Sequence, residues 1–83
     1  MENNVAAEQL IIRPNPARDI ISVENIKIEN DYIYTISDIT GKAFNKESFL
    51  KKEIDISDLT SGIYIIRVEN KNETRFAKFV KMK

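Results

Sequence analysis

Nowhere in this chain do apolar residues recur at i, i+3, i+4 and i+7 over the roughly eleven residues that would mark an amphipathic helix, and that constrains the fold more than any single motif. The chain instead has fourteen Ile and four Val, mostly in short runs. β-Branched side chains lose rotamer freedom in a helix and fit a pleated, half-buried surface. The runs predict strands over Leu10–Arg13, Ile20–Val23, Ile26–Ile28, Tyr32–Asp38, Lys42–Phe49, Glu53–Ile56, Gly62–Glu69 and Thr74–Val80. Short strands separated by turns about every 8–12 residues predict an all-β fold, a small antiparallel immunoglobulin-like β-sandwich of about seven strands. With no Cys pair and no Trp, it is not an antibody-type domain.

The punctuation between the runs agrees with this division. Asp38-Ile39-Thr40-Gly41-Lys42 puts Asp and Gly at the first and fourth positions of a type I turn, so the flanking strands form a hairpin. Glu69–Glu73 joins the last two strands in the same way. Asp55–Gly62 is a compact corner, in which Ser57 or Asp58 is expected to cap one helical turn over Leu59. Alternation then assigns faces. Tyr64, Ile66 and Val68 share one side of their strand and Ile63, Ile65 and Arg67 the other; both sets begin apolar, so this strand is central and partly covered on its second side. Tyr32, Tyr34 and Ile36 are the core-facing set of theirs. Near the end, Phe76, Lys78 and Val80 compete with Ala77, Phe79 and Lys81, and alternation does not choose between them.

Both prolines of the chain fall in Arg13-Pro14-Asn15-Pro16-Ala17. Proline gives no N–H to a ladder and biases the preceding residue toward extended geometry, so Arg13 and Asn15 are held extended. Pro14–Ala17 is therefore expected to end an edge strand and cross stiffly to the next one near Ile20. Fixing that crossover in advance reduces the entropy lost on folding.

Composition excludes several function classes. Eighty-three residues make one small domain, and with neither Cys nor His there is no disulfide, no thiolate metal site and no imidazole base or ligand. No Ser or Thr stands in a motif with an activating base, and no glycine-rich phosphate loop is present, so an enzyme is the least supported class and no cofactor is implied. Asp55 and Asp58 beside Ser57 lack the ligand series of a calcium loop. Asn72–Thr74 matches a glycosylation sequon but reads as a turn. The formal net charge is zero, yet residues 1–69 carry eight Lys/Arg against twelve Asp/Glu and residues 70–83 carry five against one. A basic last strand discourages edge-to-edge association, whereas nucleic-acid binding would call for a larger positive excess with interleaved aromatics. No apolar run approaches the roughly 20 residues that cross a bilayer, so no membrane insertion is expected. Met1–Gln9 is polar and lacks the features of a signal peptide. The chain is then either cytoplasmic or cut from a longer protein, with residues 1–9 a linker and residues 10–83 the domain.

Four elements in this order form a recognisable set: Pro14-Asn15-Pro16-Ala17, the turn from Asp38 to Gly41, Leu59-Thr60-Ser61-Gly62-Ile63-Tyr64, and a terminal strand carrying Lys78 and Lys81. Together they resemble the C-terminal sorting domain of proteins exported by the type IX secretion system of the Bacteroidetes. Each motif alone is weak; the ordered set, spanning about residues 10 to 81, is specific. Arg13 is a departure, because members often carry an aromatic or apolar residue before Pro-Asn-Pro.

The resemblance implies a non-catalytic export signal that follows a cargo enzyme or adhesin. Its implied partners are the type IX outer-membrane translocon, a sortase-like peptidase that removes the domain by cutting within or before Met1–Gln9, and the N-terminal cargo itself. Its implied location is the periplasm in transit, then the cell surface or medium. Bland readings stand beside these. Pro14 and Pro16 stiffen a crossover, Gly62 and Tyr64 make a turn and a buried aromatic whose hydroxyl finds a partner, and Lys78 and Lys81 either solvate an edge or orient a partner strand added to it. Two other classes compete: a carbohydrate-binding or adhesive sandwich of a secreted glycoside hydrolase, which would present two or three exposed aromatics on one face, and a structural spacer.

Overall fold

A computed structural model describes residues 9–27, 31–48 and 51–83. Its strands are β1 (Ile12–Arg13), β2 (Ile20–Val23), β3 (Ile33–Asp38), β4 (Ala43–Ser48), β5 (Glu53–Asp55), β6 (Gly62–Glu69) and β7 (Thr74–Lys81), with no helix among the described residues. They form two antiparallel sheets, a three-stranded one in the order β1-β2-β5 and a four-stranded one in the order β4-β3-β6-β7. Their inner faces share one core, the arrangement of an immunoglobulin-like sandwich.

Period-two alternation builds that core. Ile21 and Val23 from β2 and Ile54 from β5 meet Tyr34, Ile36, Ile66, Val68 and Phe79 from the other sheet, all of them buried. Each such aliphatic or aromatic side chain contributes about 1.5–3 kcal/mol by leaving water. β6 lies inside its sheet between β3 and β7, as its two apolar faces require. On its second side Ile65 and Arg67 are half-buried, while Ile63 is exposed.

The face left open by alternation in the last strand is now decided. Ala77, Phe79 and Lys81 point inward, with Phe79 fully buried, whereas Phe76 and Val80 are exposed. Register makes the choice. The Asn70 carboxamide accepts the N–H groups of Asn72 and Glu73, and Asn70 N–H bonds to Glu73 C=O, which closes a tight hairpin. That turn sets Tyr64 opposite Phe79 and Ile66 opposite Ala77. A slip of one residue would turn Phe79 to solvent.

Three local expectations need correction. Ile26 and Lys27 are not in a strand; Ile26 is a buried plug, because the neighbouring Asn25 carboxamide turns aside to accept from Ile11 N–H and donate to Gln9 C=O. The same bonds take Leu10 and Ile11 out of the first ladder, so β1 is only two residues long. Finally, no helical turn forms over Leu59. Leu59 N–H closes a β-turn onto Ile56 C=O, and Asp55, rather than Ser57 or Asp58, supplies the capping oxygen, to Ser57 N–H at 2.8 Å. Ile28 and Phe49 lie outside the described residues.

Candidate functional site

The Pro-Asn-Pro-Ala segment does more than cross between neighbouring strands. After β1 the chain moves to the opposite sheet and lies along the outer edge of β7, then returns to β2. Ala17 N–H bonds to Val80 C=O at 2.8 Å and Met82 N–H to Ala17 C=O at 2.7 Å, a parallel bridge opposite Lys81. Neither proline can donate to this edge. The Asn15 side chain takes over: its Oδ1 accepts Val80 N–H at 2.9 Å and its Nδ2 donates to Lys78 C=O at 3.2 Å. A side-chain amide has the same donor and acceptor pair as a peptide unit, so asparagine between two prolines restores the pairing they remove. Ala17 is 1% exposed, so its position holds a small side chain.

At the corner before β6, Tyr64 is buried and its hydroxyl donates to Thr60 C=O at 2.7 Å, with Thr60 Oγ1 at 3.3 Å. This is the tyrosine corner of immunoglobulin-like sandwiches, in which a Tyr near the start of the sixth strand ties down the preceding turn. Its ring stacks on Phe79 at 5.7 Å and meets the edge of Phe44 at 5.8 Å. Gly62 opens the strand with φ of 157°, a value that side chains rarely adopt.

The turn after β3 follows the expected design. Gly41 N–H bonds to Asp38 C=O, and Gly41 adopts φ of 93°, which completes a type I turn with a bulge. Asp38 Oδ1 accepts from the Thr40 hydroxyl and from the Thr40 and Lys42 N–H groups. The Thr40 hydroxyl above all holds the Asp38 carboxyl below its ordinary pKa, and the backbone N–H groups and the Lys42 charge act the same way.

Strand pairing brings these separated motifs to one end of the sandwich. Asp38 stands opposite Tyr64, and Tyr64 opposite Phe79; Gly62 stands opposite Lys81, and Lys81 opposite Ala17. The two lysines differ, however. Lys78 is exposed, but Lys81 points inward at 5% exposure with Nζ donating to Met82 C=O, so Lys81 does not solvate the edge. Phe79, Thr60 and Val80 belong to this end as well. Sequence reasoning singled out none of them as site residues; the spacing of Phe79 two residues before Lys81 and fifteen after Tyr64 becomes meaningful only once the hairpin register is known.

The other end is tied by charge. Tyr32 hydroxyl donates to Glu73, Glu73 pairs with Arg75 at 2.9 Å, and Arg75 donates to Asn25 C=O at 3.0 Å. Arg75 first and Tyr32 second hold the Glu73 carboxyl below its ordinary pKa. Asp55 is lowered too, chiefly by Ser57.

Among the described residues no group of three or more acidic, His or Cys side chains could hold a metal, and no helix is long and apolar enough to cross a membrane. The two aromatics exposed among the described residues are far apart in the sheet order, Phe44 on β4 against the inner-face Tyr64 and Phe76 on the outer face of β7, so these residues build no aromatic platform for a sugar. What this end of the molecule offers is a fixed shape and a guarded strand edge.

Over residues 11–82 the chain matches the family model described as the secretion system C-terminal sorting domain. A solved structure from work on PorZ, an essential bacterial surface component of the type-IX secretion system of Porphyromonas gingivalis, superposes over 89% of this chain with a TM-score of 0.71 at 17% identity. The chain spans 11% of that protein, and at this identity the likeness is one of fold. A search of curated proteins finds no match.

Proposed function

Because the chain belongs to the secretion system C-terminal sorting domain family, we propose that it is a non-catalytic export tag that directs a cargo protein across the outer membrane through the type IX secretion system. In this reading residues 10–83 are the tag and residues 1–9 the linker to a cargo on their N-terminal side. The cargo passes through the periplasm, the translocon engages the folded tag, and a sortase-like peptidase cuts within or before Met1–Gln9, leaving the cargo at the surface or in the medium. The polar composition of that segment suits an exposed cleavage site.

The observation that carries the reading is the convergence of the four motifs. Asp38, Gly62, Tyr64, Ala17 and Lys81, drawn from segments up to 64 positions apart, lie in two cross-strand rows separated by the Ile63–Val80 pair. The cost of fixing those rows is met by a core that the fold already needs. Recognition is then of a rigid surface, with Pro14–Pro16, Ile39–Gly41 and Lys78 as its exposed parts.

The test is a fusion. A fluorescent protein with a periplasmic signal peptide, followed by residues 1–83, is expressed in a Bacteroidetes strain with a working type IX system. Fluorescence is expected at the cell surface or in the medium, and the exported reporter is expected to end within or before residues 1–9. Retention in the periplasm would overturn the reading.

A further inference from the structure

Among the described residues, the edge of β7 is guarded over only half its length. Asn15 and Ala17 engage Val80 N–H and C=O, Lys78 C=O and Met82 N–H. Successive residues of a strand direct their N–H and C=O groups to opposite sides, so the groups of Phe76 and the N–H of Lys78 point the same way as those of Val80, away from β6. Among the described residues none bonds to them. Beside them lies a cleft of about 610 Å³, lined by Gln9, Ile65 and Thr74–Lys78. The Asn15 amide bounds this stretch at one end, and the Arg75 contact to Asn25 bounds it at the other.

We propose that this open half-edge accepts a short extended strand from a partner protein, with an apolar side chain laid against Phe76 and an acidic one reaching Lys78. Three observations select that occupant. The same edge already takes an added segment at Ala17, so its twist and exposure suit strand addition. Phe76 is 55% exposed beside the unpaired groups and would be covered. Lys78 is exposed on this half-edge, and the one acid of residues 70–83, Glu73, is held by Arg75. A second copy would bring a like-charged edge to this one, whereas an acidic strand complements it. The proposal rests on reading the domain as a tag that docks to secretion machinery.

The probe is the pentapeptide acetyl-Glu-Thr-Val-Thr-Glu-amide, which presents Val between two acids on one face in either strand direction, added to the ¹⁵N-labelled full chain. Amide exchange of Phe76 and Lys78 is expected to slow, that of Val80 to stay unchanged, and the peptide with Lys in place of both Glu to bind about fivefold more weakly. Phe76→Pro removes the exposed ring together with an N–H that the sheet does not use, so it should keep the fold and abolish binding. Equal binding of both peptides, or unchanged exchange at Phe76 and Lys78, overturns the proposal. So does protection of those amides that rises with protein concentration and no peptide, which would mark self-pairing. In the export assay, an intact fusion that is exported alongside an equally exported Phe76→Pro fusion sinks this inference and leaves the sorting reading standing; an intact fusion that is retained sinks the sorting reading.

Discussion

Asn15→Ala tests whether a side-chain amide holds the edge of β7. The substitution removes the bond from Val80 N–H at 2.9 Å and the bond to Lys78 C=O at 3.2 Å. A typical net contribution is about 0.5–1.5 kcal/mol per bond, and both lie on an exposed edge where water can replace the lost partner, so about 1–2 kcal/mol is expected. In a domain of this size that lowers the melting temperature by roughly 5–15 °C. Circular dichroism melts give the shift, and hydrogen exchange at Val80 locates it. Asn15→Asp sharpens the test, since it keeps the acceptor for Val80 N–H but sets an oxygen against Lys78 C=O. Relative to the Ala variant it should therefore gain as the introduced carboxyl protonates near about pH 4. An Asn15→Ala protein that melts within about 1 °C of the parent, with Val80 exchanging no faster, would refute the surrogate-backbone role.

Other expectations follow from the same geometry. Tyr64→Phe should cost about 1–2 kcal/mol in urea denaturation by releasing Thr60 C=O from the corner, and a neutral result would remove the corner from the account of stability. Phe79→Ala should cost about 3–5 kcal/mol and Phe76→Ala less than about 0.5, because only the first ring is in the core; the reverse order would mean that β7 presents its other face. Gly41→Ala should cost about 1 kcal/mol through its positive φ, although nothing lies within 4 Å of the added methyl, and unchanged stability would refute the strain. Asp38, Asp55 and Glu73 all have folded pKa values below their unfolded ones, so their contribution is complete above the ordinary carboxylate range and is lost as pH falls through the lowered values. Melting temperature should hold steady from about pH 8 to 5 and fall below about pH 4, less steeply in Glu73→Gln; a flat profile into acid would contradict the shifts.

Strand positions were legible because burial on one face writes itself into every second residue, as in Tyr34-Thr35-Ile36 and Tyr64-Ile65-Ile66. Turns were legible where one residue type meets a backbone need, as at Asp38 and Gly41. The failures share a cause. Asn25 diverts the chain around Ile26 and shortens β1, and Asp55 caps a turn that local propensity gave to Ser57 or Asp58. In each case a polar side chain bonds backbone groups and so displaces the ladder or helical turn that local propensity favours. Of the site, the motifs themselves were visible, but the inward turn of Lys81 was not. Its side chain lies on the Phe79 side of β7, and only the Asn70 hairpin sets that register.

By itself the sequence determined an all-β sandwich of about seven strands, because alternation and turn chemistry are local properties of the chain. Tertiary structure alone decided that Asn15 would complete the edge of a strand more than sixty residues away. Hydrogen-bond partners between distant segments depend on which strand lies at a sheet's border and in what register, and both are settled only when the two sheets close on a common core.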